Sequence, residues 1–158
     1  VGAVLAQATL MPSAALGPAV PHLPLLLVVS WGLVRGARAG VGWALVAGLL
    51  CDQLSTAPLG TYTIPLVAAA LAVAAGAPRF ADALIMPAVF AAVATVVFVG
   101  GQLGALAAIG GVVDARPAAV LRLVVPTVLL NLLWLPVVYF PLRWWARVSG
   151  PPRLAWER

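Results

Sequence analysis

Asp52 is the sole carboxylate inside an apolar segment, Gly48-Leu49-Leu50-Cys51-Asp52, and a charge there has to be accounted for. Few other side chains could do chemistry with it. His22 is the only histidine and Cys51 the only thiol, while Asp82, Asp114 and Glu157 fall in expected loops or the tail. A catalytic centre needs acids, bases, nucleophiles or metal ligands that converge. No His/Cys/Asp/Glu spacing suits zinc, and no glycine-rich loop follows a strand to hold phosphate. A paired-carboxylate mechanism would need Asp82 and Asp114, which are expected on opposite faces of a membrane. The expectation is a non-enzymatic protein with no catalytic residues, no cofactor and no metal site.

Asp52 lies near the C-terminal end of its segment, where the helix dipole disfavours negative charge. Two arrangements would satisfy it. In one, the carboxylate caps the following turn at Leu54, Ser55 or Thr56 and fixes the bend before Pro58 and Gly60. In the other, it pairs with Arg116, Arg122 or His22. Asn131 precedes Pro136, which frees a backbone carbonyl one turn upstream, so its amide can bridge helices or satisfy that carbonyl. Gln102 is the other polar residue near an apolar segment. His22 reads as a solvated loop residue, Cys51 as a buried inert thiol that has no partner for an intramolecular disulfide, and Arg122 as a snorkelling cation.

The elements that must position these residues follow from composition. Of the 158 residues, 64% are hydrophobic and only 8% charged, with a mean hydropathy of +1.12. Soluble domains run nearer 45–50% apolar and about 25% charged, so both soluble and disordered classes are excluded. Long unalternating Ala, Val and Leu runs argue against a transmembrane barrel. The fold class expected is an all-α integral membrane protein with six transmembrane helices. Its apolar segments are 1–16, 21–34, 39–54, 62–77, 83–103 with an extension to 113, and 118–141. The second and third are short, about 21–24 Å against roughly 30 Å of hydrocarbon, and a re-entrant hairpin is the alternative for that pair. The chain opens at Val1, so the start of the first segment is expected to be missing.

All nine basic residues are arginine, giving a net charge of +5. Their single placement between apolar runs speaks for membrane orientation rather than nucleic acid. With a cytoplasmic N-terminus, Arg35, Arg38, Arg79, Arg143, Arg147, Arg153 and Arg158 fall inside, and Arg116 and Arg122 outside. Both termini are therefore expected in the cytoplasm. Residues 1–141 are expected to form one membrane domain, followed by an interfacial tail at 142–158 in which Pro151-Pro152 stops any helix. Arg35, Arg38, Arg143, Trp144, Trp145 and Arg147 are the expected interfacial anchors against membrane lipid, and Trp31 and Trp43 flank the first inside loop. A protein-binding role is the alternative for the tail.

Apolar burial does not drive helix association in lipid, so close approach of small side chains does more. Ala44, Gly48 and Asp52 form a small-small-acid stripe, and Ala68, Ala72 and Gly76 a packing line, with Ala88, Ala92 and Ala91, Thr95 on the next segment.

The run from Gly48 to Gly60 resembles the signature of the rod shape-determining protein MreD family. Gly48, Asp52, Leu59 and Gly60 occupy the family's places, and Ala44 stands where a second glycine is frequent. Asn131-Leu132-Leu133-Trp134-Leu135-Pro136, followed by basic residues, is similar to the family's last helix, and Pro21-His22 stands where Pro-Asp or Pro-Asn is common. The resemblance implies a non-enzymatic scaffold of the bacterial cell-elongation machinery in the cytoplasmic (inner) membrane. It implies an MreC-like bitopic partner, with RodA, a class B penicillin-binding protein and MreB nearby, and a fold like the substrate-capture (S-component) subunits of ECF transporters. Ala44, Gly48, Asp52, Leu59, Gly60, Asn131 and Pro136 are its structural or partner-face candidates. The alternative function is a substrate-capture subunit of a small-molecule transporter, with His22, Asp52, Gln53, Tyr62, Gln102 and Arg116 at its outer ends.

Overall fold

The computed structural model describes residues 20–76, 85–110 and 116–149, and these form five helices. They are α1 (Leu23–Arg35), α2 (Ala37–Leu54), α3 (Thr63–Gly76), α4 (Met86–Ala108) and α5 (Pro117–Val148). No strand occurs among the described residues. The first expected segment, the acids Asp82, Asp114 and Glu157, and Arg79, Arg153, Arg158 and Pro151-Pro152 lie outside them.

Helix starts follow local chemistry. α1, α4 and α5 each carry proline in the first turn, where the missing N–H has no intrahelical partner to lose. One residue, Gly36, joins α1 to α2, and its φ of +94° reverses the chain at a conformation costly for other residues. Either side of it, a Cβ on Gly40 would stand 2.8 Å from the Cα of Gly32. The two backbones touch, and glycine permits it.

Contacts fix the directions. Pro24 and Leu50, Val28 and Ala47, and Trp31 and Trp43 line one surface in opposite order, so α1 and α2 run antiparallel. Gly101 against Pro65 and Gly76 against Phe90 make α3 and α4 antiparallel. His22 bonds Asn131 while Trp31 meets Trp145, so α1 and α5 run parallel. α1 touches all four other helices, and its Leu25, Leu26, Val28 and Val29 are buried. The alternation gathers Arg35, Arg38, Arg143 and Arg147 at one end of the bundle and Arg116 and Arg122 at the other.

Two expectations about length are corrected. The short helices are α1, 13 residues, and α3, 14 residues, whereas α2 has 18 because Gly36 turns the chain in a single step and lets helix resume at Ala37. The last helix does not stop at Pro141. It runs 32 residues to Val148, across the expected tail boundary, with Pro126, Pro136 and Pro141 inside it. α4 and α5 are long and apolar enough to cross a membrane. On α5 the side chains Leu121, Val125, Leu129, Leu133, Val137, Trp144 and Val148 form an exposed stripe, as a lipid-facing helix requires.

At 1.5 Å per residue α1 and α3 measure roughly 20 Å, α4 about 34 Å and α5 about 48 Å. A long helix relieves mismatch by tilting, but a short one cannot stretch, so a bilayer crossed by α3, whose Ile64 and Leu71 are exposed, would thin beside it. The protein should therefore unfold at higher temperature in 14-carbon than in 22-carbon phosphatidylcholine vesicles, by an amount on the order of 2 kcal/mol. Equal stability in both would show that the short helices are shielded from lipid.

Candidate functional site

The turn leading into helix α3 and its first residue present four backbone N–H groups, those of Gly60, Thr61, Tyr62 and Thr63, that no helical carbonyl reaches. In an apolar medium each would cost several kcal/mol if left unpaired. Asp52 supplies most of the answer. Gly60 N–H donates to its Oδ2 at 2.8 Å, Tyr62 N–H to Oδ1 at 2.8 Å, and Thr63 N–H to Oδ2 at 3.2 Å. The Thr63 hydroxyl donates to Oδ2 as well. Thr61 N–H takes the Pro58 carbonyl at 3.2 Å. All four donors are satisfied.

This corrects the expectation for Asp52. Its carboxylate caps neither Leu54, Ser55 nor Thr56, and its donors come from residues 60–63 rather than from Arg116, Arg122 or the His22 ring. The nearer bend belongs to Ser55, whose hydroxyl accepts the Ala57 N–H at 3.0 Å. The dipole argument changes sign accordingly. A negative charge unfavourable at the C-terminus of α2 is favourable at the N-terminus of α3. At 3% exposure the carboxylate is shielded from water, so these charge-assisted bonds are strong.

The stripe below Asp52 serves the same junction. Gly40, Ala44 and Gly48 are buried with it. A Cβ on Gly48 would lie 2.5 Å from the Thr63 Cα, so glycine is what brings the α3 backbone within reach of the carboxylate. Gly60 adopts φ +99° to aim its N–H. Leu59, by contrast, is 70% exposed. Gly48, held as a partner-face candidate, is covered by α3, and a larger residue there would disrupt this chain's own packing. On α3 the buried line is Ala69, Ala70 and Val73 rather than the expected one, since Ala68 is exposed, Ala72 half-buried, and Gly76 meets Phe90.

A second polar clamp joins α1, α4 and α5. Asn131, fully buried, accepts the His22 N–H at 2.8 Å and donates to the Thr95 hydroxyl at 2.9 Å, which itself donates to the Ala91 carbonyl at 2.7 Å. Of its two expected roles, helix bridging is the one seen. His22 is not a solvated loop residue. Its ring packs edge-on against Phe98 with centroids 5.0 Å apart, because the Asn131 bond draws the start of α1 into the bundle. Pro136 is exposed on α5. Cys51 is half-buried, Gln53 exposed and Gln102 half-buried.

A groove runs along α1 between α2 and α5. It encloses about 350 Å³ and is lined by Leu27, Val28, Ala47 and Leu50, with Trp31, Trp43 and Trp145 among its walls. Trp31 stacks on Trp145 at 5.6 Å, and the Arg35 guanidinium sits 5.6 Å from the Trp31 ring. Arg143 lies over Tyr139 at 5.9 Å, while Trp144, Arg147 and Arg38 are exposed at the same end.

Thr63, Tyr62 and Thr95 were not singled out as partners of these polar residues. The signal was present in Gly60-Thr61-Tyr62-Thr63, a glycine and two threonines opening a helix after an acid. Removing the carboxylate in Asp52→Ala leaves three partly buried N–H groups without their acceptor and should lower stability by about 3 kcal/mol. Thr63→Val removes one hydroxyl donor and should cost about 1–2 kcal/mol. Thermal unfolding in detergent reads both, and an Asp52→Ala midpoint equal to the parent's would refute the assignment.

A comparison with protein families matches residues 1–148 to rod shape-determining protein MreD. No curated protein and no solved structure matches the chain. The family is one of membrane proteins with a shape-determining, structural role and is not known as enzymatic. The match spans both the Asp52 junction and the Asn131 clamp, and by it the chain belongs to the MreD family.

Proposed function

We propose that this protein is a non-enzymatic scaffold of the bacterial cell-elongation machinery, and that it holds the membrane helix of an MreC-like bitopic partner in the groove along α1. Family membership supports the role in rod shape. The groove carries the reading of the partner. Its walls are aliphatic and aromatic, with Ala47 between Trp43 and Leu50 leaving room for an incoming side chain. Val46 and Trp43 on one rim and Trp145 on the other are half or more exposed, so the surface is open to a helix arriving through the bilayer. Apolar anchors at i, i+3, i+4 and i+7 of a single span would fill two turns of it.

In this reading the chain spans the cytoplasmic membrane six times with both termini inside. RodA, a class B penicillin-binding protein and cytoplasmic MreB act around the pair. Arg35, Arg38, Arg143 and Arg147 mark the cytoplasmic end, and the adjoining tryptophans set its depth.

Filling the groove tests this. Ala47→Phe and Val46→Trp should reduce co-purification of the MreC-like partner by about tenfold while leaving the unfolding midpoint within a degree or two. Val96→Trp, at an exposed position on α4 away from the groove, should leave it unchanged. Full partner recovery with both groove variants would overturn the site.

A further inference from the structure

On the other side of α1, toward α3 and α4, lies a second cavity of about 240 Å³, which among the described residues shares only Pro24 with the groove. It is lined by His22, Cys51, Tyr62 and Phe98, with Leu25 and Leu66 as aliphatic walls. Three polar side chains from separate parts of the fold meet here. His22 and Tyr62 engage the two clamps through their backbone N–H groups, and Cys51 is a free thiol. Their imidazole, phenol and thiol therefore carry hydrogen-bonding capacity that neither clamp uses.

The two clamps hold this cavity open. Asp52 fixes the Tyr62 backbone, and Asn131 fixes that of His22. The cavity is thus built on rigid supports, as a preformed ligand site is. Among the described residues no arginine or carboxylate lines it, which favours a neutral ligand. Its volume is below the roughly 300–1,000 Å³ of drug-sized pockets, which limits the guest to one or two rings. Phe98, Tyr62 and the His22 ring present aromatic surface for edge-to-face or offset contact.

We propose that this cavity is a binding site for a small neutral heteroaromatic molecule, held between Phe98 and Tyr62 and hydrogen-bonded to the His22 imidazole and the Tyr62 hydroxyl. The site is independent of the groove and of the partner reading. Occupancy would tie α1, α2, α3 and α4 together where the short helices meet.

Cys51 is a built-in reporter because it is the only cysteine. The full chain in detergent is titrated with benzimidazole while the unfolding midpoint and the rate of alkylation by N-ethylmaleimide are followed. Binding predicts a saturable rise in midpoint and about fivefold slower alkylation. His22→Phe keeps a ring against Phe98 but removes both nitrogens, and Tyr62→Phe removes only the hydroxyl. Each should weaken the apparent affinity by about tenfold, the loss of one good hydrogen bond. Val96→Ala should behave as the parent. An absent or unsaturable response, or one unchanged in the His22→Phe, Tyr62→Phe double variant, overturns the proposal. So does a response to zinc in place of benzimidazole that His22→Phe abolishes.

Discussion

The bond between the Asp52 carboxylate and the amide end of α3 is the interaction on which the rest of the structure depends. It solves two problems with one side chain. A charge placed within an apolar helix gains four donors, and a helix start surrounded by apolar groups loses its unpaired N–H groups. Neither half is stable alone. Because three of the four donors are backbone groups, the carboxylate also sets the register of α3 against α2. Gly48 and Gly60 then follow as requirements, one for close approach and one for a positive φ.

Asn131 does the equivalent for α1, tying its first N–H to α5 and, through Thr95, to α4. Both clamps engage the N-terminal ends of short helices, where amides are left over. The result is an α1 that meets every other described helix yet, among the described residues, keeps one flank open. α2 and α5 stand on either side of that flank and hardly touch, which is why a groove remains between them. Thus the groove is a consequence of holding α1 at the centre by polar bonds at one end and by the Gly32–Gly40 contact at the other.

Much of this was legible in the sequence, and the parts that were not share a cause. Apolar content and arginine placement established an all-helical membrane protein, and the Gly48–Gly60 run carried the family resemblance. Asp52 and Asn131 stood out because polar groups in apolar runs need partners. Their partners did not stand out, since backbone amides leave no mark in composition and Thr63 and Thr95 look like ordinary small residues. Helix ends were misjudged for a related reason. The apolar run ends near Pro141, but the helix does not, since a proline facing outward removes one N–H and need not break a helix held along its other face. The line Ala68, Ala72, Gly76 shows the limit of spacing alone. In an alanine-rich helix several small faces exist, and only the neighbours decide which is buried.

The same economy of polar groups bears on what kind of machine this is. Among the described residues the one carboxylate is committed to an amide cap, and the buried amide Asn131 to a helix junction. Groups so engaged cannot shuttle protons or bind a nucleophile without releasing a helix end into an apolar medium, at a cost of several kcal/mol. Besides the small cavity beside His22 and Tyr62, what the fold leaves uncommitted is surface: an aromatic-rimmed groove and a lipid-facing α5. A groove whose walls are fixed from within would receive the proposed partner helix with little reorganisation of its own, and such preorganisation favours affinity in a medium where apolar burial offers none. Rigid polar clamps inside and an open apolar groove outside are what a scaffold for another membrane helix requires.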